Sequence, residues 1–167
     1  MATFDLTAKS TTGVGSNSIA TLPSHQGTHM PQTIQEYLDI DALIAAGNSL
    51  ANGDVFQMLE IPAGCLVLNA GAEVMKAFTS SCTLDMDFGG GDDIIDGADI
   101  TSTGFCAKGT NGQTNVVGTG AASTFTQFIG TTDTIDCKIA GAVPATGRLR
   151  VYACVIDCND IGSSNKA

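Results

Sequence analysis

Between Ser81 and Phe88 the chain alternates without a break: Cys82, Leu84, Met86 and Phe88 are apolar, and Thr83, Asp85 and Asp87 lie between them. Successive side chains of an extended strand point to opposite faces, so this stretch has one face to bury and one to keep wet. The same period returns over Thr132 to Ile139, with Thr134, Asp136 and Lys138 outward. It returns again over Arg148 to Asp157, where Leu149, Val151, Ala153 and Val155 share a face. The apolar stripes Leu84, Met86, Phe88 and Leu149, Val151, Val155 are the expected core.

Other strands follow from the punctuation around them. Asp54 to Ile61 is stopped by Pro62-Ala63-Gly64. Cys65 to Leu68 and Ala72 to Phe78 come next, with Gly71 between them as a bulge or turn. Gly89 to Asp93 is a loop leading into Ile94 to Ile100. Residues 108 to 123 are a long glycine-containing connection leading into Thr124 to Ile129. Ala140 to Gly147 is a turn containing Pro144. Near Thr33 two readings stay open. One is a strand from Thr33 to Leu38, then a short helix from Ile40 to Ala46 with Asp39 as N-cap and Gly47 as stop. The other is a single helix from Thr33, with Thr33 and Glu36 forming a capping box. The resulting expectation is an all-β chain: an antiparallel β-sandwich, jelly-roll-like, with one short helix and an extended N-terminal arm. Its boundaries are an arm over residues 1–30, a sandwich domain over 31–158 and a polar C-terminal tail over 159–167.

The arm is rich in Thr, Ser and Gly, and its apolar residues (Phe4, Leu6, Val14, Ile19 and Leu22) are scattered. It cannot bury enough surface to fold alone. The alternation Thr3-Phe4-Asp5-Leu6-Thr7 suits a strand added to the edge of another sheet. These five apolar residues are the candidate partner-binding positions.

Charge excludes one class of partner. The formal net charge is −10 and Lys and Arg total only seven, with no cationic cluster to neutralise a phosphate backbone. Nucleic acid is not an expected partner. No cationic start with an apolar run marks a secretory signal, and no apolar stretch reaches transmembrane length, so no membrane association is expected. Charged residues are 14% of the chain, which fits a turn-rich sheet protein better than salt-bridged helices. Six cysteines (Cys65, Cys82, Cys106, Cys137, Cys154 and Cys158) could form three disulfides. Because Cys82, Cys137 and Cys154 sit inside alternating apolar patterns, the reading adopted is free, mostly buried thiols. Zinc lacks paired close-spaced ligands.

Candidate chemistry is thin. The acidic loop offers Asp92, Asp93, Asp96 and Asp99 as a calcium candidate. Measured against an EF-hand, Asp92, Asp96 and Gly97 fit, but Ile94 takes a ligand position and Thr103 replaces the closing glutamate, so a solvated acidic turn is favoured. Asp85 and Asp87 share a strand face at a spacing that could serve glycoside hydrolysis. No aromatic platform accompanies them, with Trp absent and Tyr occurring twice. His25 and His29 lie in the arm, where Gly27 and Thr28 argue against a metal-binding helix. No nucleophile–base dyad and no P-loop is present. The chain is read as no enzyme, with no catalytic residues and no cofactor.

Four segments carry a resemblance: GDVFQMLEIPAGCLVLNAGAEV (Gly53 to Val74), TLDMDFGGGDDIIDGADI (Thr83 to Ile100), TTDTIDCKI and GRLRVYACVIDC. In this order they resemble a family of small structural proteins of tailed bacteriophages, common in phages of aquatic bacteria, cyanophages and marine phages among them. The resemblance spans roughly residues 50 to 158. It implies a virion protein on the capsid exterior, made in the host cytoplasm, that decorates and cements the shell by binding the major capsid protein. It also implies assembly with copies of itself, a trimer being favoured. A tail, fibre or appendage component is the alternative it leaves, and a carbohydrate-binding module or depolymerase the reading from another class.

Overall fold

The structure is a computed structural model that describes residues 3–5, 31–79, 81–89, 94–106 and 126–159. These form ten strands and one helix. In chain order they are β1 (Thr3–Asp5), β2 (Gln32–Asp39), α1 (Ile40–Ala45), β3 (Asp54–Ile61), β4 (Cys65–Lys76), β5 (Thr83–Phe88), β6 (Ile95–Asp99), β7 (Gly104–Cys106), β8 (Gln127–Ile129), β9 (Asp133–Ala140) and β10 (Arg148–Asp157). The first sheet has the order β1-β3-β9-β5-β6, and the second the order β2-β10-β4-β7, with β8 also paired to β4.

With β1 and β8 set aside, the pairing is nested. The outermost strands pair (β2 with β10), then the next inward (β3 with β9), then β4 with β7, and the innermost pair is β5 with β6. This is a long antiparallel hairpin rolled up so that alternate rungs fall in opposite sheets. The fold is therefore an all-β sandwich of jelly-roll topology.

The period-2 stripes face each other between the two sheets. From the first sheet come Phe56, Met58, Leu59, Ile61, Leu84, Met86, Ile135, Cys137 and Ile139; from the second, Ile34, Leu38, Val67, Val74, Leu149, Val151, Ala153 and Val155. All are at most 1% exposed. Met58 and Leu59 are consecutive yet both buried, because the register against β9 shifts between Gln57 and Leu59. A bulge there returns the strand to its inward phase.

One reading is corrected. The segments Cys65–Leu68 and Ala72–Phe78 are one continuous strand, β4, and Gly71 does not interrupt it. The phenol of Tyr152, directly across on β10, lies over Gly71, where an added Cβ would come within 2.6 Å of its hydroxyl oxygen. The ring supplies the packing that the glycine lacks. The irregularities sit instead at Leu68, where the register jumps from Cys154 opposite Asn69 to Val155 opposite Val67, and at Met75, between Arg148 opposite Lys76 and Leu149 opposite Val74. The short strand β7 also lies inside a stretch with no strand pattern of its own.

The open choice at Thr33 is resolved as a strand. Glu36 lies fully buried on the inward face between Ile34 and Leu38, and its Oε1 accepts from the Tyr37 amide at 2.7 Å. The helix then starts where expected. Asp39 Oδ1 accepts from the Ala42 amide at 3.1 Å, and Gly47 follows the C-cap Ala46 with φ +87°. The other oxygen of Asp39 accepts from Arg148 Nε at 2.9 Å, so one carboxylate caps α1 and ties it to β10.

Candidate functional site

Strand β1 lies on the open edge of β3 and runs parallel to it, with Thr3 opposite Val55, Phe4 opposite Phe56 and Asp5 opposite Gln57. The edge-adding segment of the arm thus finds a sheet edge, and it is the chain's own. Among the candidate partner-binding residues, Phe4 lies in this strand. Leu6, Val14, Ile19 and Leu22 lie outside the described residues, as do His25 and His29. At the other terminus Asn159 is docked on the sandwich: its Nδ2 donates to the Ala63 carbonyl and to Asp157 Oδ1, each at 2.9 Å.

The wet face of the first sheet is acidic. Asp85 on β5 accepts from Lys138 Nζ at 3.1 Å and from the Gly97 amide at 2.9 Å, which ties it to β9 and β6. Asp87 is only 3% exposed and stands directly opposite Asp136 on β9. Asp136 Oδ1 accepts from the Thr134 hydroxyl at 2.6 Å. Asp85 and Asp87 therefore share a face as expected, but Asp85 is engaged by a lysine and a backbone amide.

Of the calcium candidates, Asp92 and Asp93 lie outside the described residues. Asp96 is exposed on β6. Asp99 accepts from both the hydroxyl and the amide of Thr101, at 2.6 and 2.8 Å, and these bonds hold its carboxyl below the usual range. Its oxygen is committed to closing a local turn. Among the described residues no three His, Cys, Asp or Glu side chains gather as metal ligands.

The outer face of the second sheet has two parts. At the α1 end, Lys76 pairs with Asp41, Arg148 with Asp39 and Arg150 with Glu73. Asp41 also accepts from the Thr146 hydroxyl, and the ammonium of Lys76 leads in lowering its pKa. Such pairs at the surface contribute about 0–1 kcal/mol each. At the opposite end Ile156, Leu66 and Phe128 form a cross-strand row on β10, β4 and β8. Phe128 is 60% exposed. This apolar row was not legible beforehand. Cys65-Leu66-Val67-Leu68 is apolar at every position, and such a run does not show which parity faces outward.

All six cysteines are free thiols: Cys65, Cys82, Cys106 and Cys137 are buried, Cys154 is half-buried and Cys158 exposed. Burial pushes Cys65 and Cys106 up to about 11, with nearby Asp157 and Asp99 respectively adding to the shift. It raises Cys137 further still, and raises Cys82 against a lowering hydrogen bond to Thr79. In the folded state these thiols stay protonated to higher pH than in the unfolded chain. For Cys65 and Cys106 this contribution is complete below about pH 9 and is lost as pH climbs through 11. For Cys106 alone the loss approaches about 3 kcal/mol above pH 11. Denaturant titrations are expected to show a falling midpoint from pH 9 to 11. At pH 8 a thiol reagent is expected to modify Cys158 first and the four buried cysteines only on unfolding.

No family model matches the chain, and no curated protein matches it. Solved structures do. A chain of the cyanophage Pam1 capsid asymmetric unit aligns with a TM-score of 0.53 at 16% identity, over 81% of this chain and 90% of that one. A chain from the acidic stable capsid structure of Helicobacter pylori bacteriophage KHP30 aligns with a TM-score of 0.42 at 10% identity, over 76% and 93% respectively. At these identities the likeness is one of fold, and the chain shares the sandwich architecture of the Pam1 chain.

Proposed function

We propose that this chain is a structural protein of a phage virion that decorates the capsid exterior and cements the shell by binding the major capsid protein. The observation that carries the reading is the jelly-roll sandwich, matched across 90% of a chain from a phage capsid asymmetric unit. The resemblance of residues 50 to 158 to phage structural proteins points the same way. The acidic faces and the absence of a cationic cluster fit a protein-binding role better than a nucleic-acid-binding one. Contacts made only in the assembled shell stabilise it by linkage, and symmetric repetition multiplies weak contacts; the resemblance implies self-association as a trimer. The role is non-enzymatic.

Cryo-microscopy of the intact particle tests this. Density for the chain on the outer shell in hundreds of copies is the expected result. A dozen copies or fewer at the tail would replace cementing with a tail or fibre role, and absence from every virion would overturn the reading altogether.

The arm supplies a second test. Deleting residues 1–30 is expected to leave β2 to β10 folded, since the nested pairing is complete without β1. The truncated chain is expected to bind capsids about tenfold or more weakly, as the main-chain bonds that β1 makes when it adds to a neighbouring chain are lost. Equal binding by the two forms would remove the arm from the interface.

A further inference from the structure

Strand β1 pairs parallel to its neighbour, whereas the other pairings of the first sheet are antiparallel. Its pairing with β3 spans only Thr3 to Asp5 against Val55 to Gln57, while β3 itself runs from Asp54 to Ile61. Three residues of edge pairing add only a few backbone hydrogen bonds, each contributing roughly 1 kcal/mol net. Such an element opens more readily than the strands around it.

The connection from β1 to β2 is far longer than its path requires. Strand β1 runs parallel to β3, so from Asp5 the chain heads toward the Ile61 end. Gln32, where β2 begins, sits at that same end. It pairs with Val155, which pairs with Val67, and Cys65 at the start of β4 follows Ile61 after the Pro62–Gly64 turn. Strands rise about 3.3 Å per residue and packed sheets lie about 10 Å apart, so the path inside one molecule is on the order of 20 Å. Roughly 26 residues, Leu6 to Pro31, are available to cover it. Fully extended they would reach on the order of 85 Å. Connections in compact domains are usually about 2–6 residues.

A short added strand, an edge that accepts it by backbone pairing, and a tether several times longer than its path make β1 exchangeable. We infer that where copies are crowded, Thr3–Asp5 of one chain occupies the edge of β3 on a second copy of this chain, with the same parallel register. The exchange needs no new contact, only competition between the tethered β1 and a neighbour's. Flexible linkers hold the elements they join at effective concentrations on the order of millimolar, so exchange is expected as copies approach that concentration. Exchange places the arm of the proposed function on a like subunit. It can be tested in solution, independently of any virion.

The test uses full-length chains carrying Cys158→Ser, which removes the exposed thiol. Thr3→Cys and Val55→Cys are made separately and together, since positions 3 and 55 are direct partners in the register. In dilute solution under mild oxidation, the double variant is expected to close a 3–55 disulfide within one chain, identified by peptide mass. The two single variants, mixed near roughly 1 mM, are expected to form a 3–55-linked dimer, at least about fivefold more than at a tenfold lower concentration. Internal closure of the double variant with no 3–55-linked dimer at any concentration would overturn exchange and leave the virion reading standing. No 3–55 link in either arrangement would overturn both the register and the inference. A virion reading that fails in the microscope leaves a positive cross-link intact.

Discussion

Replacing Phe56 by alanine is expected to destabilise the fold by about 3–5 kcal/mol. Phe56 is fully buried on β3, in the sheet position that pairs with Cys137 on β9 and, on its other side, with Phe4 of β1. Truncation removes the ring's transfer free energy and leaves a cavity between two sheets that cannot collapse onto it without shifting a paired strand. Phe128→Ala is the matched control. The ring of Phe128 is 60% exposed on the outer face of the second sheet, so its removal is expected to change stability by less than about 1 kcal/mol. Urea unfolding of the two variants beside the parent gives the comparison. Similar midpoint shifts for both would contradict the placement of the core.

Gly141→Ala is expected to have the second large effect, a loss of about 2–4 kcal/mol, or roughly 5–15 °C in Tm for a chain of this size. Gly141 follows β9 with φ +81°, a conformation that costs an L-residue about 1–2 kcal/mol. An added Cβ would also stand 2.0 Å from the backbone carbonyl oxygen of Ser81, which has no flexible end to move aside. Gly47→Ala separates the two causes. Gly47 has a similar φ, +87°, but nothing lies within 4 Å of its missing Cβ, so it bears the conformational cost alone. Thermal melts should rank Gly141→Ala well below Gly47→Ala; equal losses would mean that the Ser81 contact yields freely.

Much of the fold was legible because its signal is local. Arg148–Asp157 appears over the residues expected for it, and β5 and β9 lie within one or two residues of their expected ends. In each, period-2 alternation states the conformation and most of the buried face, although at the end of β5 Asp87 is buried and Phe88 only partly so. The helix cap at Asp39 was legible for the same reason, since the carboxylate reaches an amide three residues away. Where the pattern failed, a distant residue supplied the missing information. Glu36 interrupts the apolar stripe of β2 and made a helix from Thr33 equally readable, until pairing with Val151 on β10 held it inside as part of a strand. Gly71 reads as a break, and only Tyr152, far along the chain, shows why β4 passes through it.

The candidate site was less legible than the fold. Sequence marked the arm and its Thr3–Thr7 alternation as material for an edge but carried no sign of which edge. That choice depends on β3 being left with an open side, a property of strand order rather than of any residue in β1. The row of Ile156, Leu66 and Phe128 was invisible for a related reason: three residues from separate strands become neighbours only when β10, β4 and β8 lie side by side.

By itself, then, the sequence determined that this chain is a sandwich of short strands, which residues form most of the buried stripes, and that the chain is acidic overall. Those properties follow from side-chain alternation and charge, which each segment carries alone. Tertiary structure decided the nesting of the rolled hairpin, the continuity of β4, the inward placement of Glu36 and the docking of β1 on β3. Strand pairing joins backbone groups that are nearly identical at every position, so the choice of partner falls to packing across the whole sandwich.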